Sequence, residues 1–504
     1  MSQPNFILIM TDTQATNVVG CYGRPEMRTP HIDRLAQNGI RFDKAYTTCP
    51  LCTPARAALF TGIYSHTSGP WTNNLALGTN IHTMGQRLRD GGYQTAYVGK
   101  WHLDGHDYFG TGISPDGWDA DFWYDGANYL SELTQAEIRL WRYGLPDLAS
   151  IKEHDIRAEF TWAHRVSDRA IQFLTRRDSR KPFLLVVSYD EPHHPFTCPA
   201  EFIEPFTEFN YPLGPAAHDS QENKPIHQRE WAASRHHFGQ EEVVQHPMYF
   251  GCNSFVDSEI GRVIDAAHEL AQNDTYILFT SDHGDMLGAH QLDGKGPAIY
   301  EEITHIPLII QQPDFKGAGK TCATLVSHID ILPTLLELSG LGIPPILEGD
   351  SLVPQLQGVE DSDKKVFIEF NRYEIEHDSF GGFQPLRAIL GGSYKLAINL
   401  LTSDEFYDLS HDPAEVDNLI EHPDYAALRN DYHDLLLDWM YEKRDPFRAY
   451  YWERRPWRAV RRLQWKGLFR PRPADGYAPP VRAYDTGLPA HEVKVEHEHL
   501  GKGK

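Results

Sequence analysis

The segment Cys52-Thr53-Pro54-Ala55-Arg56 holds the residue types in this sequence best suited to chemistry. Thr53 is expected to cap a helix that has Pro54 at its first position. Cys52 then stands at a helix N-terminus, where free N–H groups and the helix dipole favour anions. Arg56 lies one turn on and can point the same way. Together they would bind a tetrahedral oxyanion with a nucleophile beside it. A buried structural cysteine ahead of a capped helix would read the same way locally.

A second set is Asp12, Asp282 and His283, each just past an apolar run. Two carboxylates and one imidazole suit Ca²⁺, Mg²⁺ or Mn²⁺ better than a metal that prefers thiolates. A third set is Lys100, His102, His193 and Lys295. Transfer of a sulfuryl or phosphoryl group is mainly positioning and charge stabilisation, and cations supply both. A histidine near neutral pH can protonate a leaving alcohol. Taken singly, each of these is more often a surface lysine or a core histidine.

Four apolar runs must carry these residues: 6–10, 95–99, 183–188 and 276–279. Each is apolar throughout rather than alternating, as in a parallel sheet covered on both faces. Helices fit between them. Thr29-Pro30 opens one that stops at Gly39, and Thr83 with Gln86 has capping-box spacing. Residues 327–330 open another, which closes near Gly340. Strand–helix alternation predicts an α/β sandwich, with its site at the carboxyl ends of the strands. From about residue 366 the texture changes. Runs at 366–370, 386–390 and 395–400 and a helix near 425–441 predict a smaller C-terminal antiparallel-sheet domain. The expected division is a catalytic domain at 1–365, a small α+β subdomain at 366–443 and an arm at 444–504. The arm is rich in Arg, Trp, Phe and Pro. It lies over a neighbouring subunit, making an oligomer, or over its own domain. The polar, histidine-rich stretch 199–247 reads as a solvated loop or lid.

The formal net charge is −23, which argues against nucleic acid and anionic membrane surfaces as partners. It does not exclude an anionic substrate in a local cationic pocket. The six cysteines form no disulfide framework and no zinc ligand pattern. Met1-Ser2-Gln3-Pro4-Asn5 leads directly into a strand, with no basic n-region or cleavage site. No apolar run is long enough to span a bilayer. The expectation is a cytoplasmic protein with reduced thiols.

In this order, the residues resemble the type I sulfatases of the alkaline-phosphatase-like superfamily, over nearly the whole chain. Cys52 to Arg56 with Thr61-Gly62 matches the Cys-x-Pro-x-Arg signature. Thr29-Pro30-His31-Ile32-Asp33 with Leu35, Gly99-Lys100-Trp101-His102 and Pro192-His193-His194-Pro195 match further blocks. So do Ser281-Asp282-His283-Gly284 with Lys295, residues 330–335, and Tyr407-Asp408-Leu409 with Asp412-Pro413. The resemblance implies an alkaline-phosphatase-like α/β/α sandwich that hydrolyses a small sulfate ester. It also implies a formylglycine-generating enzyme as maturation partner, which oxidises Cys52 to an aldehyde. One hydroxyl of the hydrated aldehyde would attack sulfur, helped by the metal and Arg56, while Lys100 and Lys295 hold sulfate oxygens. His193 or Lys295 would protonate the leaving alcohol. His102 would help deprotonate the second hydroxyl, and its collapse expels sulfate. Asp12, Cys52, Asp282 and His283 would hold one divalent metal, with Ca²⁺ first.

One position departs from the pattern. Many members carry two adjacent aspartates after the first strand, and here the pair is Asp12-Thr13, followed by Gln14. The loss of one carboxylate leaves Mg²⁺, Mn²⁺ and Zn²⁺ open beside Ca²⁺. A phosphonate monoester or phosphodiester hydrolase with the same nucleophile is the rival reading. Trp71, Asn73 and Asn74 are expected on the rim. Arg372, Glu374, His377 and Asp378 are expected to line a leaving-group pocket fit for a sugar, or to form a salt-bridged loop.

Overall fold

The computed structural model describes residues 3–234, 243–271, 274–374 and 382–458. The larger sheet contains β1 (Asn5–Thr11), β2 (Ile40–Tyr46), β3 (Gln94–Gly99), β4 (Trp123–Tyr124), β5 (Phe183–Ser188), β6 (Thr275–Ser281), β7 (His305–Gln311), β8 (Lys320–Cys322) and β9 (Val326–Ser327). Their order is β8-β2-β7-β6-β1-β5-β3-β4, and β9 also pairs with β2. The four apolar runs of the sequence form its centre, β6-β1-β5-β3, and are parallel as expected. The sheet as a whole is mixed, because β7 runs antiparallel to both β6 and β2.

Alternate residues of β1 face opposite layers, as the twofold strand repeat requires. Ile7 and Ile9 join a core with α1 (Pro30–Asn38), α4 (Trp162–Arg176) and α5 (Pro247–Leu270). Phe6, Leu8 and Met10 join the other, with α2 (Cys52–Thr61), α3 (Met84–Asp90) and α6 (Ile331–Leu338). The result is an α/β/α sandwich. The Thr83–Gln86 capping box opens α3 as read from the sequence.

Strand register sets the rim. Met10 lies opposite Ser188, Thr11 opposite Ser281, and Gly99 opposite Ser188. The next residues, Asp12, Asp282 and Lys100, therefore leave the sheet at one level. Gly99 makes this packing possible: its φ is 111°, and a Cβ there would stand 1.8 Å from the carbonyl oxygen of Ser188.

The small antiparallel sheet contains β10 (Lys365–Arg372), β11 (Phe383–Gly391), β12 (Tyr394–Asn399) and β13 (Glu405–Asp408), in that order. One face packs on α7 (Ala426–Glu442) through Leu436, Trp439 and Met440. The other packs Ile368, Phe370 and Leu386 against Tyr46, Cys49 and Leu51, the residues leading to Cys52.

One expectation changes. The stretch 199–247 is not simply a solvated loop. Its described residues form short helices at Ala200–Ile203 and Ile226–Ser234, and they bury Lys224, His227 and Trp231. The described part of the arm lies on its own chain: Asp445 pairs with Arg387, and Arg455 with Asp404. Among the described residues, no helix is long and apolar enough to cross a membrane.

Candidate active site

Cys52 is the first residue of α2, and Leu51 is its N-cap in extended conformation. Thr53 does not cap the helix, contrary to the sequence reading. Its hydroxyl donates instead to the carbonyl of His102 at 3.1 Å. The Thr53 N–H is satisfied from another loop, by Asn73 Oδ1 at 3.0 Å. All ten residues of α2 are buried.

Four donors converge at Cys52. Its Sγ is 3.2 Å from His283 Nε2 and 3.8 Å from Asp12 Oδ1. Donor atoms of Asp12, Cys52, Asp282 and His283 all lie within 4.8 Å of one another. His283 Nδ1 sits 2.9 Å from the carbonyl of Gly284, which accepts its proton and leaves Nε2 as the lone pair facing the cluster. That is the tautomer a metal ligand needs. Lys295 Nζ is 2.6 Å from Sγ, 3.1 Å from His283 Nε2 and 3.9 Å from Asp12 Oδ1. These donors fit one divalent cation.

Thr13 and Gln14 fill the place of the absent second aspartate differently. Thr13 has a φ of 65° and donates its hydroxyl to Asp12 Oδ1 at 2.6 Å, and its N–H to Asp282 Oδ1 at 3.2 Å. The Gln14 carboxamide is turned to Thr11 at 2.8 Å and Asn253 at 2.5 Å.

Arg56 faces inward. It donates to Asp12 Oδ2 at 3.1 Å, Asp282 Oδ2 at 3.0 Å, the Lys100 carbonyl at 2.7 Å and Ser188 Oγ at 2.9 Å. Lys100 Nζ bridges Asp12 Oδ2 and Asp190 Oδ1, each at 2.8 Å, and lies 4.9 Å from the ring centre of Tyr108. The same ring is 5.6 Å from that of His193. His193 Nδ1 is 2.8 Å from the carbonyl of His194.

Burial and the lysines set the charges. Burial alone would raise Asp12, but Lys100 and Lys295 outweigh it and hold this carboxyl well below its ordinary range. Burial and then the Asp12 charge push Asp282 up to about 7. Burial and the Asp12 charge also push the Cys52 thiol up to about 12, so an unmodified thiol here is protonated and a poor nucleophile. Burial, reinforced by the lysines, lowers His102, His193 and His283 well below the usual imidazole range. Lys100 and Lys295 stay above theirs, because the neighbouring anions outweigh burial.

The structure thus gathers Asp12, Cys52, Arg56, Lys100, Asp282, His283 and Lys295 into one contact network, with His102 and His193 beside it. Asn74 is held against His102, its Oδ1 2.9 Å from Nε2. Arg372 ends β10 opposite Phe383. His377 and Asp378 lie outside the described residues. The sequence reading gave no role to Asp190, Tyr108 or Tyr373. Asp190 follows a strand end, as Asp12 and Asp282 do, and that signal was available. Tyr373, just past the end of β10, acts on the charge of Lys295, and no local pattern marks it.

The chain belongs to the sulfatase family. The family model described as Sulfatase matches residues 4–341, and that of N-sulphoglucosamine sulphohydrolase, C-terminal, matches residues 289–442. It is therefore a sulfatase-class hydrolase on an alkaline-phosphatase-like core. It is 55% identical to the uncharacterized sulfatase YidJ of Escherichia coli strain K12, over 98% of this chain and 99% of that protein. It is 27% identical to an N-acetylglucosamine-6-O-sulfatase of Bacteroides thetaiotaomicron, over 88% of each. Among solved structures it is similar to the phosphonate monoester hydrolase of Agrobacterium radiobacter. The TM-score is 0.71 at 25% identity, covering 88% of this chain and 96% of that one.

Proposed function

We propose that this chain hydrolyses the sulfate monoester of a small organic alcohol, a sulfated carbohydrate first among them, from a formylglycine made at Cys52. The observation that carries the reading is the position of Cys52 Sγ, at a buried helix start 3.2 Å from His283 Nε2 and 2.6 Å from Lys295 Nζ. A formylglycine-generating enzyme would be the partner in maturation. Oxidised and hydrated, residue 52 would supply two hydroxyls, one to attack sulfur and one to lose its proton as sulfate departs. A divalent cation held by Asp12, Asp282, His283 and residue 52 would supply Lewis-acid polarisation. Two carboxylates and an imidazole are few oxygens for Ca²⁺, and they suit Mn²⁺ or Zn²⁺ as well.

The chain's own residues do the rest. Arg56 holds both carboxylates in place. Lys100 and Lys295 offer positive charge to the sulfate oxygens as negative charge shifts towards the leaving oxygen. Lys295 carries a proton in the free enzyme. A sulfate anion beside His193 would favour its protonated form, against the burial and the Lys100 charge that hold it low. Either can protonate the leaving alcohol. His102, neutral in its buried place, takes the proton of the second hydroxyl. The N-acetylglucosamine-6-O-sulfatase relative supports a sugar as the alcohol. All six cysteines are without disulfides, which agrees with a reducing compartment such as the cytoplasm.

The likeness to a phosphonate monoester hydrolase favours a second reading, in which the same site cleaves phosphonate monoesters. The test is kcat/KM on paired aryl sulfate and phenyl phosphonate esters, after mass analysis has established the aldehyde at residue 52. A ratio favouring sulfate is expected, together with loss of turnover on chelation and in Cys52→Ala. A ratio favouring phosphonate selects the second reading, and activity surviving Cys52→Ala rejects both.

A further inference from the structure

His102 is held by contacts from two separate parts of the chain, and one of these is fastened to a third. Its φ is 58°, and its carbonyl accepts from Thr53 Oγ1. Its Nε2 lies 2.9 Å from Asn74 Oδ1, and Asn74 Nδ2 lies 3.4 Å from Glu374 Oε1. A carboxylate only accepts, so the nitrogen end of the Asn74 amide must face Glu374. The oxygen end then faces His102, and Nε2 must carry the ring proton. Nδ1 is left as a bare lone pair, buried and with no hydrogen-bond partner among the described residues. The loop bearing Asn74 is fastened to the segment bearing Glu374. Thr72 Oγ1 and Asn73 N–H both donate to the carbonyl of Tyr373, at 3.0 and 3.4 Å.

We infer that Glu374 is a positioning residue for the reaction. Through Asn74 it fixes His102 in the Nε2–H tautomer and keeps Nδ1 as the proton-accepting atom. This rests on the reading of His102 as the base given above, and it moves Glu374 from the leaving-group pocket to the support of that base. Without Glu374, no other hydrogen bond among the described residues holds the nitrogen end of the Asn74 amide, which can then turn over. Its NH₂ would then face Nε2, the proton would move to Nδ1, and the accepting atom would be lost.

Imidazole ¹⁵N–¹H correlation spectra of the histidine-labelled protein read the tautomer directly, with His102 assigned by its absence in His102→Asn. Wild type is expected to show Nε2–H. Glu374→Ala, which lets the Asn74 NH₂ face Nε2, is expected to populate Nδ1–H, and Asn74→Ala, which removes the acceptor at Nε2, is expected to lose the single fixed tautomer. In matured enzyme they should lower kcat about 10- to 100-fold, the usual range for a group that orients an active-site histidine, with little change in KM. Glu374→Gln, whose amide oxygen still accepts from Asn74, should restore the tautomer and most of kcat. An unchanged tautomer in both alanine variants overturns the relay. So does a Glu374→Gln enzyme that fails through KM, which would make Glu374 a substrate contact. Undiminished kcat in His102→Asn removes the base reading and the catalytic part of this inference, while the spectra still judge the relay itself.

Discussion

Arg56 bridges Asp12 and Asp282, donating to one carboxylate from Nη2 at 3.1 Å and to the other from Nε at 3.0 Å, with all three side chains closed to solvent. Its Nη1 is committed to Lys100 and Ser188. The guanidinium is thus a clamp on two metal-ligand candidates, a geometry that a single ammonium cannot reproduce. Arg56→Met should destabilise the metal-free protein by about 3–5 kcal/mol, the usual cost of breaking a buried ion pair from one side. Added Mn²⁺ or Ca²⁺ should recover part of that, because a cation on the carboxylates replaces the lost charge. Urea unfolding with EDTA and with metal measures both terms. Equal losses in the two conditions would count against the clamp.

Asn73 caps the nucleophile helix from outside it, through Thr53 N–H at 3.0 Å. Asn73→Ala should cost about 1 kcal/mol, as loss of a side-chain cap does, and should also lower turnover because Cys52 is the first residue of the freed turn. Thr53→Ala should leave the helix start intact, since that hydroxyl serves His102 instead. Equilibrium unfolding of the two variants separates the assignments, and a larger loss in Thr53→Ala would restore the sequence reading.

These caps illustrate where the sequence was readable. The central strands were legible because each is buried over nearly its whole length and so is apolar along most of it. Asp12, Lys100 and Asp282 were legible because they follow those strands directly. The antiparallel β7 was not, since a strand buried past its first residue carries no mark of its direction. The partners that give the site its electrostatics were less visible still. Lys100 finds Asp190 ninety residues on, and Thr53 finds Asn73 across a loop. Local patterns such as Thr-Pro therefore invited a local answer that tertiary contacts replaced.

Tyr108 stands between two expected participants, with its ring 4.9 Å from Lys100 Nζ and 5.6 Å from the His193 ring. The cation over its face is buried, where such contacts reach about 2 kcal/mol. Tyr108→Phe keeps that face and should retain most of kcat. Tyr108→Ala removes the ring that both side chains pack against and should lower kcat/KM roughly 10- to 30-fold, the rate equivalent of that energy. Steady-state kinetics on an aryl sulfate distinguishes them. A Phe variant as poor as Ala would instead assign the function to the hydroxyl.

His66 and Glu369 join the end of the nucleophile layer to the small sheet. Glu369 accepts from His66 Nδ1, from Ser65 Oγ and, at 2.9 Å, from the His66 N–H. Burial would raise this carboxyl, but His66 and then Arg387 outweigh it and hold it at about 2, against an ordinary 4.5. Burial would lower His66, and the Glu369 charge instead raises it above its ordinary 6.5. The signs follow from proton counting. Below pH 4.5 the unfolded chain takes up the carboxyl proton first, so the Glu369 contribution is lost as pH falls towards 2. Above pH 6.5 the unfolded chain gives up the imidazole proton first, so the His66 contribution is lost as pH rises through its folded value. The pair therefore stabilises fully only between about pH 4.5 and 6.5. The stability difference between wild type and Glu369→Gln, from urea unfolding, should be a few kcal/mol near pH 5.5 and should shrink at pH 3.5 and again above pH 8. A difference that stays constant across that range would mean that Glu369 holds the interface by shape and hydrogen bonding rather than by charge.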